Sequence, residues 1–216
     1  MQSSEQTLAS LLNVEGNQWH YHVPRFQREY VWGKDNWSKL LDDINDDDPG
    51  HYMGSIICVQ ETQEASPTSE LIYEVVDGQQ RLTTLSLLLC AIYHHMQSLA
   101  RGTPDLEKSE DFIIHRSNIR KRLVKEFTTP PDTRWGVFKS GDRSFCLRVQ
   151  PSTQGRNLED YLYILHEIGV LPEDRRPSYL GNRRMYKAFV YFKENVGSTL
   201  DKILKLVELV NALIFV

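Results

Sequence analysis

Apolar residues repeat at the three- and four-residue spacing of an α-helix through much of this chain. In the first half, this spacing predicts three helices, at Gln6 to Asn13, Asp35 to Ile44 and Gln79 to Met96. In the second half, it predicts four, at Asn118 to Phe127, Leu158 to Ile168, Ser178 to Val196 and Thr199 to Val210. The long segment that starts at Gln79 is the strongest of these predictions, because its apolar run continues over several turns.

Strands are predicted where bulky and β-branched residues stand between polar segments. Three fall in the first half, at residues 19–24, 51–60 and 71–78, and the last two form a hairpin or lie side by side in one sheet. A weaker strand is predicted at Ser144 to Val149. The sequence also ends in an apolar run, NALIFV, which is typical of a strand inside a longer protein.

These elements predict an α+β fold, a small mixed sheet with helices followed by a mainly helical second half. We expect residues 1–100 to form the core and residues 101–216 to be a helical extension, truncated at its C-terminus. The 216 residues are 40% apolar and 25% charged, a composition typical of globular proteins with a core of ordinary size.

No apolar run reaches the roughly 18 residues that a membrane span needs, so we expect no membrane partner. The three cysteines, Cys58, Cys90 and Cys146, lie far apart and lack CxxC spacing. This pattern favours free thiols in a reducing compartment and predicts a cytoplasmic location.

Charge is distributed unevenly along the chain. Residues 1–100 carry 5 Lys and Arg against 14 Asp and Glu, whereas residues 101–216 carry 20 against 15. A polyanion such as DNA would therefore meet the second half, where the basic stretch SNIRKRLVK lies. A mixed, solvated surface explains the same distribution equally well.

Five polar or special residues, DGQQR, stand between the last predicted strand of the first half and the long helix. A strand that enters a helix through glycine leads to free backbone N–H groups and to the positive end of the helix dipole, which bind anions. Gly78 permits close approach of a ligand, and Arg81 can donate two hydrogen bonds to a phosphate. Gln79 and Gln80 can bind a base, a sugar or a water, while Asp77 can hold a metal or orient a water.

The DGQQR motif has neither the GxxxxGK[ST] pattern of a P-loop nor the GxGxxG pattern of a dinucleotide-binding turn. In a purely structural alternative, Asp77 caps the helix and Arg81 pairs with an acidic neighbour. The combination of one Asp, two Gln and one Arg favours an anion site over this alternative.

The segment PRFQREYVW supplies Arg25, Gln27, Arg28, Tyr30 and Trp32 within eight residues. Arginine interleaved with aromatic residues suits phosphate contact and base stacking. In the alternative, the aromatic side chains anchor the loop in the core while the arginines face water. A mixed arrangement, with the aromatic side chains buried and Gln27 and Arg28 turned to the site, is also open.

The two motifs occur in the order VPRFQREYVW, a predicted helix, MGSIICV and YEVVDGQQRLTTL. In this order the chain closely resembles the DUF262 family, the N-terminal domain of GmrSD-type, modification-dependent restriction enzymes, which has a ParB/sulfiredoxin-like core. The resemblance is sharp over residues 23–85 and continues weakly through SFCLRV and NRRMYKAFVYF.

The resemblance implies a domain that binds and hydrolyses an NTP, with Mg²⁺, as the sensor part of a bacterial anti-phage restriction protein. The catalytic residues implied are Asp77 and Arg81, with Asp77 also the metal ligand. The implied nucleotide and phosphate contacts are Gly78, Gln79, Gln80, Gln27, Arg28 and Tyr30. The implied partners are DNA with modified bases or backbone and a C-terminal HNH-type nuclease domain, DUF1524, which this sequence lacks.

Two other classes of function remain open at this point. The first is a ParB-like DNA-binding module without enzymatic activity, which would read DNA with its basic second half. The second is a structural or toxin-associated interaction domain, in which the DGQQR motif only begins a helix.

Overall fold

The computed structural model describes residues 4–15, 19–46, 50–61, 71–127, 137–140, 143–172 and 177–216. Its α-helices are α1 (Leu8–Leu11), α2 (Lys34–Asn45), α3 (Gln79–Gly102), α4 (Glu110–Leu123), α5 (Asn157–Glu167), α6 (Arg184–Asn195) and α7 (Leu200–Ala212). Its strands are β1 (Gln6–Thr7), β2 (Trp19–His22), β3 (Ile57–Gln60), β4 (Leu71–Asp77), β5 (Val124–Phe127), β6 (Val137–Ser140), β7 (Arg143–Leu147), β8 (Val149–Gln150) and β9 (Ile214–Phe215). The α+β class predicted from the sequence is confirmed.

A four-stranded sheet with the order β3-β4-β2-β8 carries the candidate site. β2 pairs in parallel with β4 and with β8, whereas β3 and β4 run antiparallel, as predicted. Because β8 comes from the second half of the chain, the sheet uses strands from both sides of residue 100. The C-terminal ends of the three parallel strands therefore meet at one edge, which is where open sheets of this kind bind ligands.

The other described strands form two smaller sheets. β5, β7 and β6 make an antiparallel sheet in that order, so the second half is less purely helical than predicted. β1 pairs antiparallel with β9, which confirms the strand predicted at the end of the sequence.

The predicted helix at Asn118 to Phe127 is wrong at both ends. α4 starts earlier, after Ser109, whose hydroxyl oxygen accepts the backbone N–H of Phe112. It ends at Leu123, because the next four residues pair antiparallel with β7. The ladder with β7 satisfies their backbone groups and overrides the local helical pattern.

Two of the predicted strands are divided or shortened in the structure. Of residues 51–60, only the last four form a strand, since Gly54 has a φ of +97° and interrupts the extended backbone. The predicted strand at Ser144 to Val149 divides into β7 and β8, which belong to different sheets. At the N-terminus, the predicted helix shrinks to α1, because Gln6 and Thr7 pair with β9.

α3 is the central helix of the fold. Every side chain from Leu82 to Tyr93 is buried, because α3 packs against α4, α6 and α7 and also contacts β8. Even the polar Ser86 is inside, where its hydroxyl is hydrogen-bonded to the hydroxyl of Tyr161. The position of α3, and with it the DGQQR motif at its start, is therefore fixed by the whole core.

We expect Leu88→Ala to lower the free energy of unfolding by about 2–5 kcal/mol, because Leu88 is fully buried in α3 and truncation leaves a cavity. Ser98→Ala, on the exposed side of the same helix, should change it by less than about 0.5 kcal/mol. Urea denaturation of both variants measures the difference. Equal effects in the two variants would contradict the central position of α3.

Candidate functional site

α3 begins at the sheet edge without a capping side chain. Its N-cap residue is Gly78, whose φ of +89° favours glycine. A Cβ atom at Gly78 would lie 2.9 Å from the carbonyl oxygen of Ser55 and 3.1 Å from Cγ1 of Ile56. Among the described contacts, Asp77 makes no capping hydrogen bond, so the first-turn N–H groups are left without a side-chain acceptor.

Two glutamines of the motif face the loop that carries PRFQREYVW. Oε1 of Gln80 accepts the backbone N–H of Val31 at 2.9 Å, and its Nε2 donates to the carbonyl oxygen of Glu29 at 3.0 Å. Nε2 of Gln79 donates to Oε1 of Gln27 at 3.0 Å. Both Gln79 and Gln80 are buried, so these amides hold the loop against the first turn of α3.

The aromatic residues of this loop divide between core and solvent. The hydroxyl of Tyr30 lies 2.8 Å from Oγ1 of Thr84 and accepts the indole N–H of Trp37 at 2.8 Å. Burial raises the pKa of Tyr30 above its ordinary value, so the phenol stays protonated. Trp32 packs on the core, whereas Phe26 is 77% exposed. The anchoring role expected of the aromatic residues therefore holds for Tyr30 and Trp32 but not for Phe26, and the nucleotide contact assigned to Tyr30 stays a prediction.

Asp77 and Arg81 lie on a different face of the motif from the glutamines. Nη2 of Arg81 is 3.7 Å from Oδ2 of Asp77, and the two side chains are 25% and 64% exposed. Nη1 of Arg81 donates to the carbonyl oxygen of Met53 at 3.0 Å. This pair is open to solvent and is not a buried salt bridge, so its Coulomb attraction is weak.

We use the name strap for residues 53–56, which pass over the start of α3. The backbone N–H of Met53 donates to the carbonyl oxygen of Ile214 in β9 at 2.8 Å, and that of Ile56 donates to Val216 at 3.1 Å. The strap therefore lies between Arg81 and the C-terminal strand.

The structure brings the predicted residues together at one edge but gives them two orientations. The three glutamines, Gln27, Gln79 and Gln80, bind one another, the loop backbone or the end of β4. Asp77 and Arg81 face the strap instead. Arg28, on the same clamped loop, is exposed and forms no ion pair with a described residue.

No group of three or more His, Cys, Asp or Glu side chains that could hold a metal occurs within the described ranges. The role of Asp77 in holding Mg²⁺ stays a prediction. A bound nucleotide would supply the further oxygen ligands that this ion needs.

Burial keeps two titratable groups of the sheet neutral. It lowers the pKa of His22 below its ordinary value, so this imidazole carries no charge at neutral pH. It raises the pKa of the Cys58 thiol to about 12, so no thiolate nucleophile forms there near neutral pH.

Sequence reasoning missed the residues that follow β8. Pro151, Ser152 and Asn157 come from the second half and lie against the first turn of α3. The hydroxyl of Ser152 donates to the carbonyl oxygen of Gln27 at 3.4 Å. A recognisable strand pattern at residues 149–150 would have placed these residues beside β2 and so at the site. β8 has only two residues, however, and no pattern of its own.

The DGQQR turn and the loop clamped against it are the two motifs on which the resemblance to the N-terminal domain of GmrSD-type restriction enzymes rests. The sequence model described as GmrSD restriction endonuclease, N-terminal domain, matches residues 8–214, and the chain belongs to this family. A search of curated proteins found no match. In the part of the chain that the structure describes, no helix has the length and apolar character needed to cross a membrane.

We expect Gln80→Met to lower the free energy of unfolding by about 2–4 kcal/mol, because it leaves the N–H of Val31 and the carbonyl of Glu29 without their partner. Gln60→Met makes the same change on exposed β3 and should cost less than about 0.5 kcal/mol. Thermal or urea unfolding compares the two. A Gln80 variant as stable as the control would show that the amide does not hold the loop.

We expect Gly54→Ala to cost about 1–3 kcal/mol and to displace Arg81, because Gly54 has positive φ and a Cβ would overlap Nη1 of Arg81. Gly102→Ala is the control, since nothing lies within 4 Å of a Cβ at the end of α3. Helix propensity predicts that this control is neutral or more stable. Unfolding curves of both variants measure the effect, and equal stability would contradict close contact between the strap and Arg81.

Proposed function

We propose that this domain binds a nucleoside triphosphate with Mg²⁺ and hydrolyses it, as the sensor part of a restriction protein that responds to DNA modification. Membership of the GmrSD restriction endonuclease family supports the role in restriction. The observation that carries the nucleotide proposal is the uncapped start of α3, with exposed Arg28 and partly exposed Arg81 beside it. Backbone N–H groups and two guanidinium groups form a suitable environment for phosphate.

In this proposal each residue type has a separate task. Arg81 and the first turn of α3 hold the phosphates, and Asp77 positions the metal or the attacking water. Gln27, Gln79 and Gln80 complete the polar wall and keep the loop that carries Arg28 in place. Gly78 lets the phosphates approach the backbone.

The remaining partners follow from the same proposal. DNA with modified bases or backbone provides the signal, and a C-terminal HNH-type nuclease domain cleaves it in the full-length protein. Cys58, Cys90 and Cys146 are all free thiols, which supports action in the cytoplasm.

The DNA-binding alternative receives less support from α4. Arg116 is ion-paired with Glu107, and Arg120 lies 3.1 Å from Glu126. These pairs neutralise much of the positive charge that the sequence places on this helix.

We expect Arg81→Ala to weaken nucleotide binding by about tenfold or more, because it removes a charge-assisted contact to phosphate. Asp77→Ala should abolish hydrolysis and the effect of Mg²⁺ while leaving the fold intact. Calorimetry with GTP, ATP, UTP and CTP, with and without Mg²⁺, measures affinity, and phosphate release measures turnover.

Arg101→Ala is the matched control for Arg81→Ala, since Arg101 is exposed at the other end of α3. Unchanged nucleotide affinity in both site variants would contradict the proposal. Salt-dependent DNA binding without any effect of nucleotide would instead favour the ParB-like module.

A further inference from the structure

A narrow cleft separates the first turn of α3 from the start of α5. Arg28, Gln79 and Thr83 line one side, and Ser152 and Asn157 line the other. Its free volume is about 10 Å³, which is room for one water-sized atom. The cleft lies at the edge where β2, β4 and β8 end, so both halves of the chain contribute to it.

Two buried polar side chains in this cleft lack a hydrogen-bond partner among the described residues. Thr83 is 4% exposed and Asn157 is 6% exposed. Because neither polar end is sealed off from solvent, both open into the cleft, where a water or a ligand can reach them. By contrast, the Ser152 hydroxyl is already used, since it donates to Gln27 and accepts the N–H of Gln154.

The charges around the cleft favour an anion. Arg28 is exposed on the cleft wall, and Asn157 is the first residue of α5, so the positive ends of α3 and α5 both lie here. Three carboxylates are close in sequence to the cleft residues, and that of Glu29 also lies beside Gly155, just before α5. Glu29 is exposed, whereas Glu159 and Asp160 are both ion-paired with Arg183.

We propose that this cleft binds one oxygen of a phosphate group, with Asn157 as a binding residue that the second half adds to the site. The side-chain N–H₂ of Asn157 and the hydroxyl of Thr83 donate to this oxygen inside the cleft. Arg28 binds the remaining phosphate oxygens on the exposed side. When the phosphate belongs to a nucleotide, the inference rests on the proposed function; a phosphate of the DNA backbone offers the same chemistry.

The substitution Asn157→Asp separates binding from folding. A carboxylate in the cleft repels phosphate, whereas an acidic residue at the first position of α5 stabilises the helix through its dipole. We expect affinity for GTP with Mg²⁺, or for inorganic pyrophosphate, to fall about tenfold or more while thermal stability is retained. Thr83→Val, which keeps the shape and removes the hydroxyl, should cause a smaller loss.

Asn13→Asp is the matched control. Asn13 is exposed and does not line the cleft, and its Oδ1 accepts the N–H of Glu15, which a carboxylate also does. Calorimetric titrations with nucleotide and, separately, with a short DNA duplex distinguish the two sources of phosphate. Loss of nucleotide affinity in Asn157→Asp but not in Asn13→Asp supports the inference, and loss confined to the duplex assigns the phosphate to DNA.

The outcomes that overturn this inference differ from those that overturn the proposed function. If the unmodified protein binds nucleotide and Asn157→Asp and Thr83→Val bind it equally well, the cleft is not part of the site and the proposed function stands. If the unmodified protein binds no nucleotide, the proposed function fails, and the duplex titration alone decides on the cleft. Binding of neither ligand overturns both.

Discussion

The arrangement of the candidate site depends on one buried side-chain amide, that of Gln80. The loop between β2 and α2 forms no ladder in the described structure, so its partly buried backbone groups at Glu29 and Val31 need other partners. Gln80 satisfies one donor and one acceptor of this loop from the first turn of α3. Because α3 is packed in the core, the hydrogen bonds of Gln80 fix the position of the loop, and with it the backbone of Arg28.

The five residues of the DGQQR motif do not act as a single surface. Successive helix positions point about 100° apart, so Gln80 and Arg81 cannot face the same neighbour. The glutamines are directed to the upstream loop, while Arg81 and Asp77, four residues apart, meet on the opposite side. The motif thus combines structural residues, which are buried and paired, with charged residues that solvent and ligands can reach.

The sequence was informative wherever the determining signals are local. The passage from strand through Gly78 into α3 is encoded in consecutive residues. The three- and four-residue spacing of apolar positions placed most helices correctly, and the bulky and β-branched residues placed β4. Two features depend on distant partners and were not predictable. Residues 124–127 form a strand only because β7 lies beside them, and Asn157 reaches the site only because two-residue β8 pairs with β2. Gly54 is similar, since the reason for a glycine there is a side chain from α3.

Met53 connects the motif to the far end of the described chain. Its carbonyl oxygen accepts from Arg81, and its N–H donates to Ile214 in β9. A ligand that accepts a hydrogen bond from Nη1 of Arg81 competes with the carbonyl oxygen of Met53 for this donor. A ligand that displaced Arg81 from the strap would therefore remove one of the two hydrogen bonds that hold Met53 between α3 and β9.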